Sequence, residues 1–259
     1  MNQPHTTTKQ QRTILTLIYR FRFVSTKHVQ QALGIKHITN VQPRLDLLVK
    51  RNLIGRNYDG YLRLAGLPAS YYLLPEGMAA LKQFDPDVNK AVLHNVYKDK
   101  SAQEWFINHC LMVADVSHEL TRLYGDDMEF FTPSEVKEYS YFPKPLPHAY
   151  IVVDDSERSE ADPLHFFVEL CEDSVQPFIH QKRVLEYVEY AEANEWQTET
   201  DTKLPHVLLI CESDSLRRKL TKVTDKALEN SFQNDLVFRL VTKEGIASIF
   251  EPKEKPGNP

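Results

Sequence analysis

The sequence predicts an α+β protein of two units, a small one of helices closed by a hairpin and a larger α/β one. Three observations lead there. Residues 1–84 hold twelve Lys/Arg against three acids, a net of +9, while the whole chain carries −5, so a basic unit is joined to an acidic one. Apolar residues recur at helical spacing through the first fifty residues and then turn strand-like on both sides of short turn signals. Beyond residue 104, helical and strand-like stretches alternate, the order of a layered α/β unit.

In the basic unit, Ile14, Leu17, Ile18 and Phe21 fall at i, i+3, i+4, i+7 and make one apolar helix face, with Arg12, Arg20 and Arg22 largely off it. Ser25 is a good N-cap for a short helix through "TKHVQQAL", which ends at Gly34. A third helix opens either on a Thr39/Gln42 capping box or on Asn40, with Pro43 in its first turn. Val41, Leu45, Leu48 and Val49 then face inward, and Gln42, Arg44, Lys50 and Arg51 face solvent. "NLIGRNYDGYLRL" reads as two β-prone arms about an Asp59-Gly60 turn, and "SYYLLPEGMAAL" as a strand followed by a helix opening near Pro75. Three helices and a hairpin make a winged helix-turn-helix over residues 1–84.

Such a fold inserts its third helix in the major groove and lays its wing on the neighbouring backbone. Asn40, Gln42 and Arg44 are therefore the candidates for base contact, and Lys36, Lys50, Arg51, Arg56 and Arg63 for phosphate contact. The partner expected of this unit is double-stranded DNA. The hairpin tyrosines are read as cross-strand residues, not as a single-strand stacking platform.

Residues 85–103 lose periodicity after Asp85-Pro86 and are expected to be a linker. The second unit then covers residues 104–251, and residues 252–259 read as a disordered tail. Phe106, Cys110, Val113, Val116, Leu120 and Leu123 outline a long helix that Gly125 ends. "EFFTPSEV" and "KEYSYF" are short β-prone pieces, and the strands "AYIVV" and "HFFVELC" flank an acidic loop. A helix over 179–192 with Val184, Leu185, Val188 and Ala191 inward, a strand "HVLLIC", a helix over 214–229 and a strand "LVFRLVT" complete the unit.

Several classes are set aside. No run of about 18 apolar residues occurs, and the polar N-terminus carries no secretory signal pattern, so a cytoplasmic protein without membrane contact is expected. Cys110, Cys171 and Cys211 are widely spaced among apolar neighbours, which fits reduced thiols without a structural metal. No phosphate-cradling glycine loop is present, so nothing supports nucleotide hydrolysis.

The segments "YYLLPEGMAAL", "NHCLMVADVSHEL", "LPHAYIVV", "HFFVELCEDS" and "HQKRVLEY" follow one another in an order that resembles the replication-relaxation family of plasmids and integrative elements. In that family a winged helix is fused to a restriction-endonuclease-like (PD-(D/E)xK) domain. The resemblance implies a metal site in which one acid opens the first hairpin strand and Glu-x-Lys lies on the second. Here His148 stands in the first acid's place, Glu169 keeps the second, and Cys171 takes the lysine's place. After the glutamate, relatives resemble E-x-D-x-G-T where this chain has Glu169-Leu170-Cys171-Glu172-Asp173-Ser174.

The resemblance thus implies a DNA-binding accessory protein whose nuclease-like domain is catalytically degenerate and serves for dimerisation or for docking a relaxase or replication protein. No cofactor is expected of it. The alternative is a metal-dependent nuclease that uses Glu169 and His148 with Mg²⁺ or Mn²⁺, helped by Lys182 from the next helix and Glu119 from the preceding one. A winged-helix transcriptional regulator is the second alternative.

Overall fold

A computed structural model describes residues 7–58, 60–85, 88, 97–154, 163–231 and 235–249, with the side chains of Arg63 and Ser248 outside that description. The chain is mixed helix and sheet, and it divides into two compact units, residues 1–118 and 119–259. The division falls inside a long helix and not in residues 85–103. The described part of that segment packs into the first unit: buried Asp99 is paired with Arg22, whose guanidinium lies 4.4 Å from the centre of the Phe106 ring. The expected tail, the acidic loop over 155–162 and most of the expected linker lie outside the described residues.

The first unit opens with α1 (Lys9–Phe21), started by a Thr8/Gln11 capping box, with Ile14, Leu15, Ile18 and Phe21 buried. β1 (Val24–Ser25) leads into α2 (Thr26–Ala32), where Ser25 caps as its sequence predicts and Gly34 takes φ +62° after the helix end. α3 (Gln42–Lys50) differs at its start from either expected cap. A 3₁₀ turn over Ile38–Asn40 precedes it, and its N-cap is Val41, whose buried side chain anchors the turn without any side-chain cap.

β2 (Ile54–Asn57) pairs antiparallel with β3 (Ser70–Leu73), and β3 also pairs with β1, giving the order β1-β3-β2. The second arm of the hairpin is therefore not "YLRL", as the sequence pattern suggests. Those residues form the short helix α4 (Gly60–Leu64), in keeping with the helix propensity of Leu and Arg, and it closes through Ala65 N–H to the Tyr61 carbonyl at 2.9 Å. Asp59 lies outside the described residues. α5 (Pro75–Lys82) follows β3 as expected. Its Gly77 meets the turn after α3 so closely that a Cβ there would sit 1.9 Å from the Leu53 carbonyl oxygen.

α6 (Glu104–Tyr124) runs from the first unit into the second and ends at Gly125, which takes φ +56°. The second unit is built on a five-stranded sheet of order β4-β5-β6-β7-β8, formed by β4 (Met128–Phe131), β5 (Ala149–Val153), β6 (Leu164–Cys171), β7 (His206–Cys211) and β8 (Phe238–Thr242). The first three strands are antiparallel neighbours, and β6, β7 and β8 run parallel.

"KEYSYF" is not a strand. The Thr132/Glu135 capping box starts α7 (Pro133–Val136), and turns follow it, bringing Tyr141 and Phe142 against Tyr150 and Trp196. α8 (Pro177–Ala193) and α10 (Asp214–Glu229) stand where sequence periodicity puts them, and the short α9 (Glu195–Thr200) adds Trp196 to the core. The buried stripe of α8 is His180, Val184, Tyr187 and Ala191, whereas Leu185, expected inward, is 45% exposed.

Candidate functional site

The carboxylate expected to ligate a metal is buried. Glu169 points from the middle of the sheet, its side chain 5% exposed, and the β5–β6 register that sets Ala149 against Val168 continues to set His148 against Glu169. His148 Nδ1 lies 3.3 Å from Glu169 Oε2 and accepts the Leu170 N–H at 2.9 Å. A ring nitrogen that accepts a hydrogen bond carries no proton. Nδ1 thus stands between the Leu170 N–H and the Glu169 carboxylate, and a protonated ring would face that carboxylate as a cation.

The permanent cation at Glu169 comes from α8. Arg183 donates to Oε1 from Nε at 2.8 Å and from Nη2 at 2.6 Å, and the Tyr187 hydroxyl donates to the same oxygen at 2.6 Å. Arg183 also donates to Glu186 at 3.3 Å and lies over the Tyr187 ring, so the guanidinium is held on every side. Burial pushes the Glu169 carboxyl up, but the neighbouring His148 and Arg183, with hydrogen bonds from Tyr187 and Arg183, outweigh it and hold the carboxyl below its ordinary value. Burial and the adjacent carboxylate push the Tyr187 phenol up.

Lys182 does not join this cluster. Successive helix residues point about 100° apart, and Lys182 stands 74% exposed with Nζ 3.5 Å from Glu186. Glu119 is held by Arg122 on its own helix, at 2.6 and 3.1 Å. The residues present do not fit a divalent cation: three donors, two of them from the Arg183 guanidinium, crowd one oxygen of Glu169, and the other faces His148 at 3.3 Å. Among the described residues no group of three or more His, Cys, Asp or Glu is placed to hold a metal ion.

Cys171, in the lysine position of the motif, is buried and stands in register with Cys211 on the neighbouring parallel strand. Its hydrogen bond to Cys211 and its burial raise the thiol well above its ordinary value, which keeps it protonated and inert.

The basic face of the first unit has a different character. Lys36, Asn40, Lys50 and Arg56 are exposed on and around α3, and Arg51 is half-buried at the helix end. Two residues expected at base edges are otherwise engaged. Gln42 donates to Asp46 at 3.0 Å and to the buried Tyr71 hydroxyl at 3.3 Å, which ties α3 to β3. Arg44 donates to Gln10 at 3.1 Å and to the Asn40 carbonyl. Arg56 reaches Asp46 at 3.0 Å, linking β2 to α3. The side chain of Arg63 lies outside the described residues.

Among the described residues no helix is long and apolar enough to cross a membrane. A family model described as replication-relaxation matches residues 15–207, which takes in most of both units. No curated protein and no solved structure gives a significant match.

Proposed function

Because the chain belongs to the replication-relaxation family, we propose that it is a double-stranded-DNA-binding accessory protein of a plasmid or integrative element, acting in replication control or in the DNA processing that precedes transfer. The observation that carries this reading is the concentration of +9 net charge in the first 84 residues, with Lys36 and Lys50 exposed beside and on α3. The order α1–β1–α2–α3–β2–β3 supports a winged helix whose third helix is offered to the groove. With Gln42 and Arg44 engaged inside the unit, Asn40 and the exposed ends of α3 are the better base-contact candidates, and Lys36, Lys50, Arg51 and Arg56 serve the phosphates.

The second unit acts in this reading as a scaffold without catalysis, for self-association or for docking a relaxase or replication protein. Its Glu169 is spent on Arg183 and Tyr187. The test is a salt-controlled binding measurement on the full chain with duplex DNA. Lys36→Glu with Lys50→Glu should weaken binding strongly and reduce the salt slope by about 2, roughly one for each phosphate that the protein no longer neutralises. Unchanged affinity and slope would remove the DNA reading.

A further inference from the structure

The second unit is acidic, yet its last long helix is not. Residues 119–259 hold 16 Lys/Arg against 28 acids, and five of those cations, Arg217, Arg218, Lys219, Lys222 and Lys226, lie on α10. Their placement is ordered. Leu216, Leu220, Thr224 and Ala227 form the buried stripe of the helix. Arg218, Lys222 and Lys226 follow at i, i+4, i+8 on the opposite, exposed side, with exposed Lys219 beside them. Successive members stand about 6 Å apart along the axis.

Arg217 and Arg218 are tethered by Asp214 at 2.7 and 2.8 Å. No ion pair engages Lys219, Lys222 or Lys226 among the described residues, although Asp225 and Glu229 share the helix. Arg218, Lys219 and Lys222 also line an open groove with Asp214 and Ser215. Like charges at i, i+4 repel one another along a helix, and no described acid of this unit is paired with the three lysines. A regular row of such cations is complementary to a regular row of anions.

We propose that the exposed face of α10 is a second DNA-contacting surface, which takes the phosphate backbone of a duplex without reading its bases. The proposal rests on the DNA-binding reading and adds to it a contact made by the acidic unit. Lysine ammonium groups act at phosphates as point charges, and each one engaged adds to the salt dependence of binding.

The experiment measures binding of the full chain to a duplex by fluorescence anisotropy, over roughly 50 to 200 mM salt. The variants are Lys219→Glu/Lys222→Glu/Lys226→Glu and the milder triple change to Gln, with circular dichroism to verify folding. Both should lower the magnitude of the salt slope by about 2 to 3, and the Glu variant should bind at least roughly ten-fold more weakly at low salt. A slope equal to that of the unchanged protein overturns the proposal. So does a variant whose slope is unchanged while its sedimentation shifts, because that assigns the row to contacts between copies of this chain. The arms separate the two levels: if Lys36→Glu/Lys50→Glu loses binding and the α10 variants do not, only the second surface fails. If the unchanged protein binds no duplex at any salt, the DNA reading fails and takes this surface with it.

Discussion

Replacing Arg183 with Met removes the permanent cation bonded to Glu169 and keeps most of the side-chain volume in the wall of α8. Breaking one partner of a buried pair costs about 3–5 kcal/mol, because the remaining charge is left uncompensated. The structure allows a sharper figure. Glu169 is 5% exposed, so in the variant its carboxyl takes up a proton, and the cost is that of protonating a group whose ordinary value is 4.5. At about 1.36 kcal/mol per pH unit, this is about 3.4 kcal/mol at pH 7 and about 0.7 at pH 5.

In the unchanged protein the folded carboxyl lies below its ordinary value, so its stabilisation is present above that value and fades as pH falls. In Arg183→Met the folded carboxyl lies above it, and stability is lost as pH rises. The difference between the two proteins should therefore shrink by about 2.7 kcal/mol from pH 7 to pH 5. Urea unfolding followed by tryptophan fluorescence reads it, since Trp196 is 3% exposed in the core of this unit while Trp105 is 71% exposed and changes little. Adding Glu169→Gln should recover most of the loss, because the buried charge is then gone. A single-variant cost below about 1 kcal/mol at pH 7, independent of pH, would refute the clasp. Mn²⁺-dependent cleavage of plasmid DNA that is lost in Glu169→Ala would establish the nuclease alternative instead.

Two further outcomes follow from the packing. Burial and the nearby Arg239 push His206 down to about 4; its unfolded form therefore binds a proton first, and stability should fall as pH drops from 6.5 toward 4. After allowance for partial exposure the loss is about 2 kcal/mol, and it should be largely absent in His206→Gln when unfolding midpoints at neutral and acid pH are compared. Gly77→Ala should destabilise the first unit by about 3 kcal/mol, because its Cβ would lie 1.9 Å from a backbone carbonyl oxygen. Gly55→Ala should cost less, since its clash is with the Tyr72 ring; equal melting shifts for the two would contradict this ranking.

The elements that sequence disclosed are those whose burial is periodic. Ile14, Ile18 and Phe21 mark α1, Ser25 marks the start of α2, and the runs before and after the acidic loop mark β5 and β6. What it concealed has physical causes. "YLRL" alternates apolar and charged residues like a strand, but its helical propensity prevails and the pairing passes to Ser70–Leu73. On α8 a single phase error hid the partner of Glu169. Taking Leu185 as inward turns Arg183 away from the sheet, whereas the phase set by His180, Val184 and Tyr187 puts Arg183 one turn before Tyr187 on the same side. A tyrosine in a helix that crosses a buried glutamate was the available signal. The division of units inside α6 left no trace in composition, because the helix keeps apolar residues along its whole length.

A buried Arg–Glu pair is weak evidence for stability, since well-packed apolar residues in its place are often as good. Its consequence is therefore better sought in what the pair does to α8. The pair ties the strand that would carry a nuclease's second carboxylate to the helix that follows it, at the position where catalysis would need an open oxygen. A unit arranged in this way can hold surfaces in place but offers no free carboxylate to a metal at Glu169. Its one regular row of exposed cations stands on α10, on the side of that helix turned away from its buried stripe. If the second unit contributes to DNA binding, it does so by charge on its surface and not by chemistry in its interior. That contribution would be strongly salt-dependent and insensitive to sequence, whereas base recognition would remain with the first unit.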